Sequence, residues 1–213
     1  VGHPDRAGRG PDRPRGGADP GAAPRPHHRA DGPRVEDRRV AAGAGQQPGL
    51  PAAGITDTGW PVQVVSSGIR QFFIPVRSLR EVQALSPKKQ DTAILSRLCD
   101  TLDPVQHCNE CLMVLTLETS DPGVQVHTRM FAPGLGIGED PATGSACGGL
   151  GAYLVHHGIV PATPPTTHLL VEQGIEMGRP SRISIEVDGP PDGNTMVRVG
   201  GQVVPLIEGT LRW

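Results

Sequence analysis

From about residue 55 the chain consists largely of short apolar segments separated by turn residues, some with alternating hydrophobic and polar positions, and this pattern predicts mainly β-strands. The segment "PVQVVSSGIRQFFIPV" (61–76) combines β-branched residues with period-two stretches, so it predicts two strands joined at residues 66–68. Gly or Pro residues separate the later segments of this kind, as expected for turns. These further predicted strands cover residues 111–119, 124–132, 167–174, 181–189, 195–204 and 205–213.

Two other segments have the spacing of helices. In "SPKKQDTAILSRLCDTL" (86–102) the large apolar residues fall on one helix face, with Ser86 as N-cap and Pro87 at the first helical position. "SACGGLGAYLVHHG" (145–158) predicts a second helix that ends at its last glycine. A mostly antiparallel sheet with two helices predicts an α+β domain of roughly 155–160 residues.

The first 50 residues differ from the rest of the chain in composition. Their only hydrophobic residues larger than alanine are Val1, Val35, Val40 and Leu50. Such a segment buries too little apolar surface to offset the entropy of ordering it, so residues 1–50 are predicted to be disordered. The abundance of Arg, Gly, Ala and Pro also fits GC-rich DNA translated in the wrong frame, which leaves a genuine tail and a frameshift product as alternatives.

Charge and cysteine content limit the classes of partner and compartment. The 213 residues carry a net charge of −2, which argues against nucleic acid or a membrane surface as a partner bound through bulk charge. No apolar run is long enough to span a bilayer, and the N-terminus lacks the apolar core of a signal peptide. The four cysteines are therefore expected to be reduced thiols in the cytoplasm. The pair in "HCNEC" (107–111) lacks the second pair that a structural zinc needs, so no metal is predicted.

The loop "GIGEDPATGSACGG" (136–149) places carboxylates, hydroxyls and glycines directly before the second predicted helix. The first N–H groups of a helix have no partners within it and carry partial positive charge, so "ATGSA" is suited to hold a carboxylate or phosphate. Alternatively, Thr143 or Ser145 only caps the helix. The adjacent Glu139 and Asp140 are expected to point in different directions, with Asp140 either a hydrogen-bond acceptor for a ligand or part of a turn with Pro141.

The segment "RMFAPGLGIGEDPATGSACGGLGAYL" (129–154) closely resembles the signature of the phenazine-biosynthesis PhzF-like family. The resemblance extends to residues 64–79, 172–187 and 197–211. It implies a diaminopimelate-epimerase-like fold, in which two similar domains each wrap a barrel-like sheet around a central helix and the active site lies between them. It also implies a cofactor-independent isomerase that shifts a proton on a small carboxylate substrate, and a homodimer.

The resemblance assigns roles to the loop. Asp140 corresponds to the signature aspartate, and Ser145 to the serine that contacts the substrate. Thr143 joins the substrate-binding loop, and the backbone N–H groups of Gly144 and Ala146 are expected to hold the substrate carboxylate.

The N-terminal part of the family pattern is broken in this chain. His3 matches the family histidine for three residues, after which the match fails, and a one-base shift restores it. No segment before His3 matches the family's catalytic glutamate. The resemblance thus implies that residues 1–50 are an aberrant remnant of a first domain, that 51–213 form an intact second domain, and that the chain has little isomerase activity.

Two other functions stay open at this point. In one, the chain is a non-catalytic remnant that folds and binds a small carboxylate. In the other, it is a two-cysteine racemase that uses Cys147, a mechanism that needs a second, opposed thiol.

Overall fold

One mixed sheet of nine strands dominates the computed structural model, which describes residues 34–35, 57–87, 111–189, 195–202 and 205–211. All of these belong to one compact unit, residues 31–213. The strands are β1 (Arg34–Val35), β2 (Gln63–Ser66), β3 (Arg70–Pro75), β4 (Leu112–Thr116), β5 (Val126–Ala132), β6 (Ile137–Asp140), β7 (Thr166–Gln173), β8 (Ser181–Asp188) and β9 (Met196–Gly200). The helices are α1 (Leu79–Gln83) and α2 (Gly144–His156).

The strand order of the sheet is β1-β2-β3-β4-β5-β7-β8-β9, and β6 also pairs with β5. The pairs β3–β4 and β5–β7 are parallel, and all other pairs described are antiparallel. This confirms the mostly antiparallel sheet with few helices that the alternating pattern predicts. None of the helices among these residues is long and apolar enough to cross a membrane.

Helix α2 is the centre of the main hydrophobic core. Its residues 146–155 are all buried, and it packs against β8 and β9 as well as against β1, β2 and β3. A helix that is apolar all round must be enclosed on every side. The sheet therefore curls into a half-barrel that brings strands from both ends of its order onto one helix.

Glycines let α2 approach the sheet closely. A Cβ atom at Gly149 would lie 3.2 Å from the ring of Phe73, and one at Gly151 would lie 2.6 Å from Ile185 Cγ2. Farther along the helix, Tyr153 stacks on Phe73 at a centroid distance of 5.5 Å, and its hydroxyl donates to Pro61 O at 2.6 Å. Helix α2 thus has small residues near its start and a large aromatic residue farther along, and this order of sizes fits the helix against the curved sheet.

A second apolar cluster covers the other face of β2–β4 beneath α1. Helix α1 follows a capping box in which Ser78 accepts from the Glu81 N–H and the Glu81 carboxylate accepts from the Ser78 N–H. The sequence "SLRE" (78–81) carries this signal, although the strand pattern around it does not predict a helix there.

Several other sequence predictions differ from the structure. The strand predicted over 205–213 is wrong for its described residues, 205–211, which form no strand; Leu206 is 87% exposed and Ile207 94% exposed. The segment pairs with none of the described strands. Conversely, β6 forms within the predicted loop, because residues 137–140 pair with β5.

The remaining predictions fall partly outside the described residues. Apart from its first two residues, the helix predicted over 86–102 lies outside them. Within the predicted disordered segment 1–50, only Arg34–Val35 is described, and it pairs with β2. The division at residue 50, the frameshift and the two-domain epimerase-like arrangement stay predictions.

The close packing of α2 predicts an unusual response to a helix-favouring substitution. Gly151→Ala introduces a Cβ 2.6 Å from Ile185 Cγ2 and 3.0 Å from Val187 Cγ2, so overpacking outweighs the gain in helix propensity. We expect the free energy of unfolding to fall by about 1–2 kcal/mol in urea titrations. The control is Gly144→Ala in the same helix, whose nearest neighbour is 4.0 Å away, and which should keep or raise stability. Equal effects of both substitutions would contradict the packing argument.

Candidate functional site

The loop before α2 brings Asp140 and Thr143 together. Thr143 is the N-cap residue, yet its side chain makes no capping hydrogen bond to the helix. Instead its hydroxyl donates to Asp140 Oδ2 at 2.6 Å. The simple capping role considered for Thr143 is therefore wrong, and no described side chain caps the N–H groups that begin α2.

Gln173, at the end of β7, fixes this loop from the interior. The side chain is fully buried, and its Nε2 donates to Asp140 O at 2.6 Å and to Thr143 Oγ1 at 2.9 Å. Its Oε1 accepts from the Thr143 N–H at 3.3 Å. The Thr143 hydroxyl, already accepting from Gln173, directs its own proton at the Asp140 carboxylate. Sequence reasoning missed Gln173, although it lies in the segment "EQG", which was part of the resemblance.

Gly174 allows Gln173 to approach the loop so closely. Its φ of +78° lies in the left-handed region, and a Cβ there would lie 2.4 Å from Arg179 O and 2.7 Å from Pro141 O. Because both neighbours are backbone atoms, only glycine fits.

The two carboxylates of "GEDP" do point in different directions, as predicted. Glu139 accepts two hydrogen bonds from the buried Arg129, from Nε and Nη2, each at 2.8 Å. The third nitrogen of Arg129, Nη1, donates to Val82 O and Leu85 O at the end of α1. Glu139 is thus committed to the interior, and Asp140 is the carboxylate that faces Thr143.

Ser145 lies in the first turn of α2 and is exposed, as is Gly144, whereas the side chain of Ala146 is buried. The Ser145 carbonyl accepts from Ser67 Oγ at 2.6 Å, and its hydroxyl accepts from Gln71 Nε2 at 3.4 Å. Both partners come from the β2–β3 hairpin. Neither contact is predicted by the sequence pattern.

Cys147 follows one turn into α2 and is fully buried. Burial raises the pKa of its thiol to about 12, so the thiolate that a two-cysteine racemase needs is strongly disfavoured. Among the described residues, no group of three or more His, Cys, Asp or Glu side chains could hold a metal ion. His3 lies outside the described residues.

A buried charged cluster adjoins the site behind β5, and sequence reasoning left its histidine without a role. His127 Nδ1 lies 2.7 Å from Glu172 Oε1, and its Nε2 lies 3.1 Å from Glu176 Oε1, a close ion pair without hydrogen-bond alignment. Burial alone would lower the pKa of His127, but contact with Glu176 and then Glu172 outweighs it, so the pKa is raised. For Glu176, burial would raise the pKa, but His127 and Arg129 lower it.

A family model described as phenazine biosynthesis-like protein matches residues 29–209. The chain belongs to this family.

Two curated proteins resemble the chain at similar levels of identity. An uncharacterized isomerase of Clostridium acetobutylicum is 33% identical over 152 residues, which are 71% of this chain and 48% of that protein. The trans-2,3-dihydro-3-hydroxyanthranilate isomerase of Pseudomonas fluorescens is 33% identical over 162 residues, 76% of this chain and 51% of that protein. The chain thus spans about half the length of the curated relatives it matches.

A solved structure of the family has the same fold. The crystal structure of a PhzF-family phenazine biosynthesis protein from Bacillus anthracis matches with a TM-score of 0.63 and 25% identity, over 80% of this chain and 55% of that one. The sheet and its enclosed helix are therefore a shared architecture of the phenazine biosynthesis-like family.

The His127 cluster predicts a pH dependence of stability. Because the pKa of His127 is raised on folding, its protonation contributes to the free energy of unfolding. This contribution is fully present below the ordinary histidine pKa of 6.5 and is lost as pH rises through the raised pKa. Because the pKa of Glu176 is lowered on folding, its ionised form also contributes to the free energy of unfolding. This contribution is fully present above the ordinary glutamate pKa of 4.5 and is lost as pH falls through the lowered pKa. Both contributions are complete between those two values.

We therefore expect His127→Gln to be most destabilising between pH 4.5 and 6.5, and less so at higher pH, in urea unfolding at a series of pH values. The matched control is His168→Gln, which changes an exposed histidine on β7. A deficit for His127→Gln that stayed constant from pH 5 to 9 would contradict the assignment.

Proposed function

We propose that this chain is the part of an isomerase that binds a small carboxylate at the start of α2 and presents Asp140 to it for cofactor-independent proton transfer. The observation that carries this proposal is the Asp140–Thr143–Gln173 arrangement beside a helix start that no described side chain caps. The relatives named as isomerases support the type of reaction.

The binding step follows from the helix start. The N–H groups of residues 144–146 have no acceptors within the helix, because the first such bond runs from Cys147 N to Thr143 O at 3.0 Å. A carboxylate placed there accepts those N–H groups and lies at the positive end of the helix dipole. The exposed Ser145 hydroxyl supplies a further donor on the same side.

The proton-transfer step concerns Asp140. Thr143 donates to Oδ2, which leaves Oδ1 as the carboxylate oxygen available to a ligand. We assign Asp140 the role of an acceptor that handles a proton or orients the substrate, with the main base supplied by the family's glutamate. The Pseudomonas fluorescens relative is named for a substrate of the anthranilate type, an aromatic-ring-derived carboxylate, and this supports a cyclic carboxylic acid as the substrate class.

The binding proposal is tested by titrating isotopically labelled protein with benzoate and following backbone amide shifts by NMR. We expect shifts concentrated at residues 144–146, and none with benzamide, which has the same ring but no charge. The variant Ser145→Ala should weaken binding about 2- to 10-fold, whereas Thr166→Ala, at the opposite end of β7 from Gln173, should not. Benzoate shifts spread evenly over the surface, or equal shifts with benzamide, would refute the carboxylate site.

The proton-transfer proposal is tested by exchange of a substrate C–H proton in deuterated water, against a panel of small cyclic and unsaturated carboxylic acids. We expect little exchange by the chain itself and measurable exchange by a hybrid carrying the first half of the Pseudomonas fluorescens relative in place of residues 1–50. In the hybrid, Asp140→Asn should lower the rate about 10²–10⁴-fold. Exchange by the chain alone at the rate of the hybrid would show that the base lies within residues 51–213.

A further inference from the structure

Gln71 on β3 is a polar side chain in an unfavourable place. It is only 1% exposed, and its Oε1 is buried and accepts no hydrogen bond from any described residue. Its cross-strand neighbour on β2 is Val65, and Phe73 lies two positions along on the same face of β3, against α2. An amide carbonyl left unpaired in apolar surroundings opposes folding.

Gln71 gains little stability in return. Its amide Nε2 donates to Ser145 Oγ at 3.4 Å, which is long for a hydrogen bond. An apolar side chain of the same length would bury similar area without an unpaired carbonyl. Stability alone therefore does not account for glutamine at this position, and an unpaired buried group of this kind points to a functional role.

Among the described residues, the side chain of Gln71 makes one hydrogen bond, and it is with the proposed site. When its N–H donates to Ser145 Oγ, it occupies a lone pair of the hydroxyl and leaves the hydroxyl proton to be donated elsewhere. Ser145 is also held through its carbonyl by Ser67 Oγ at 2.6 Å. The β2–β3 hairpin thus fixes Ser145 at two points, and one of them is its ligand-facing group.

We propose that Gln71 is a positioning residue, which orients the Ser145 hydroxyl as a donor to the bound carboxylate and is present for binding rather than for stability. This inference rests on the proposed carboxylate site. It adds to that site a residue on a different element, 74 positions earlier in the chain.

Gln63 offers a matched control within the same hairpin. It is also 1% exposed, and its Oε1 lies 2.5 Å from His157 Nε2 beyond the C-terminal end of α2. It pairs across the strands with Phe73, on the face that meets α2. The two glutamines therefore share burial and face, but they lie at opposite ends of the helix.

The experiment measures the melting temperature and the benzoate dissociation constant of Gln71→Met and Gln63→Met in the full chain. Methionine keeps the length of glutamine and removes its polar atoms. For Gln71→Met we expect an equal or higher melting temperature and about 2- to 10-fold weaker benzoate binding. For Gln63→Met we expect a lower melting temperature and unchanged binding.

A double-mutant cycle tests whether Gln71 acts through Ser145. In a Ser145→Ala background, Gln71→Met should change the benzoate dissociation constant less than about twofold, because the hydroxyl that it orients is gone. An undiminished effect in that background would overturn the positioning role.

The outcomes separate this inference from the proposed function. If the wild-type chain binds benzoate at residues 144–146 and Gln71→Met binds it equally well, the inference fails and the carboxylate site stands. If Gln71→Met lowers the melting temperature as much as Gln63→Met, or does not fold, Gln71 is structural and the inference fails. If the wild-type chain shows no benzoate shifts, the proposed site fails and the inference fails with it.

Discussion

The fold depends on enclosing one helix that has no polar face. Residues 146–155 of α2 are all buried, so the sheet has to curl until strands from both ends of its order contact the helix. The glycines at 149 and 151 make the contact close enough that little adjustment remains. Because the helix is fixed along its length, its first turn has a defined position. The loop that leads into this turn is therefore held in place as well.

The direction of each carboxylate in the loop is set from the interior. Arg129 binds Glu139 through two hydrogen bonds and also reaches carbonyls at the end of α1, so the strand that carries both acids cannot rotate without unpairing a buried charge. Removing one partner of such a pair is strongly unfavourable. Asp140 is the next residue, and alternation along β6 directs it away from Arg129. Gln173 then fixes the backbone where β6 ends.

Sequence predicts those parts of the molecule that depend on local pattern. The β2–β3 hairpin follows from β-branched residues and period-two stretches, β4, β5, β7 and β8 from apolar segments between turns, and α2 from a short run of small and apolar residues. A strand is also predicted over residues 205–211, but a strand needs a neighbour to pair with, and sequence pattern alone does not supply one. Helix α1 has a capping box as its only local signal, and it was overlooked within a strand-rich region.

The residues of the site likewise differ in whether local sequence predicts them. Asp140, Thr143 and Ser145 lie in one short motif, so they were predicted from sequence, and the structure brings Asp140 and Thr143 into contact. Gln173 and Gln71 act across 30 and 74 positions of sequence, and neither has a local pattern that marks it. Their contacts exist only because the sheet and the helix have already been assembled. The opposed directions of Glu139 and Asp140 were predicted, but the partner of Glu139, Arg129, was not.

The pairing of β7 with β8 has a consequence for the fidelity of folding. Eight residues of β7 face eight of β8, and Gln173 is the last of them. Side chains alternate between the two faces of a strand, so a slip of one residue would turn Gln173 away from the loop while most of the ladder re-formed. Such a molecule would keep much of its secondary structure and lose the contact that orders Asp140 and Thr143. Only molecules with the correct β7–β8 register therefore present a formed site.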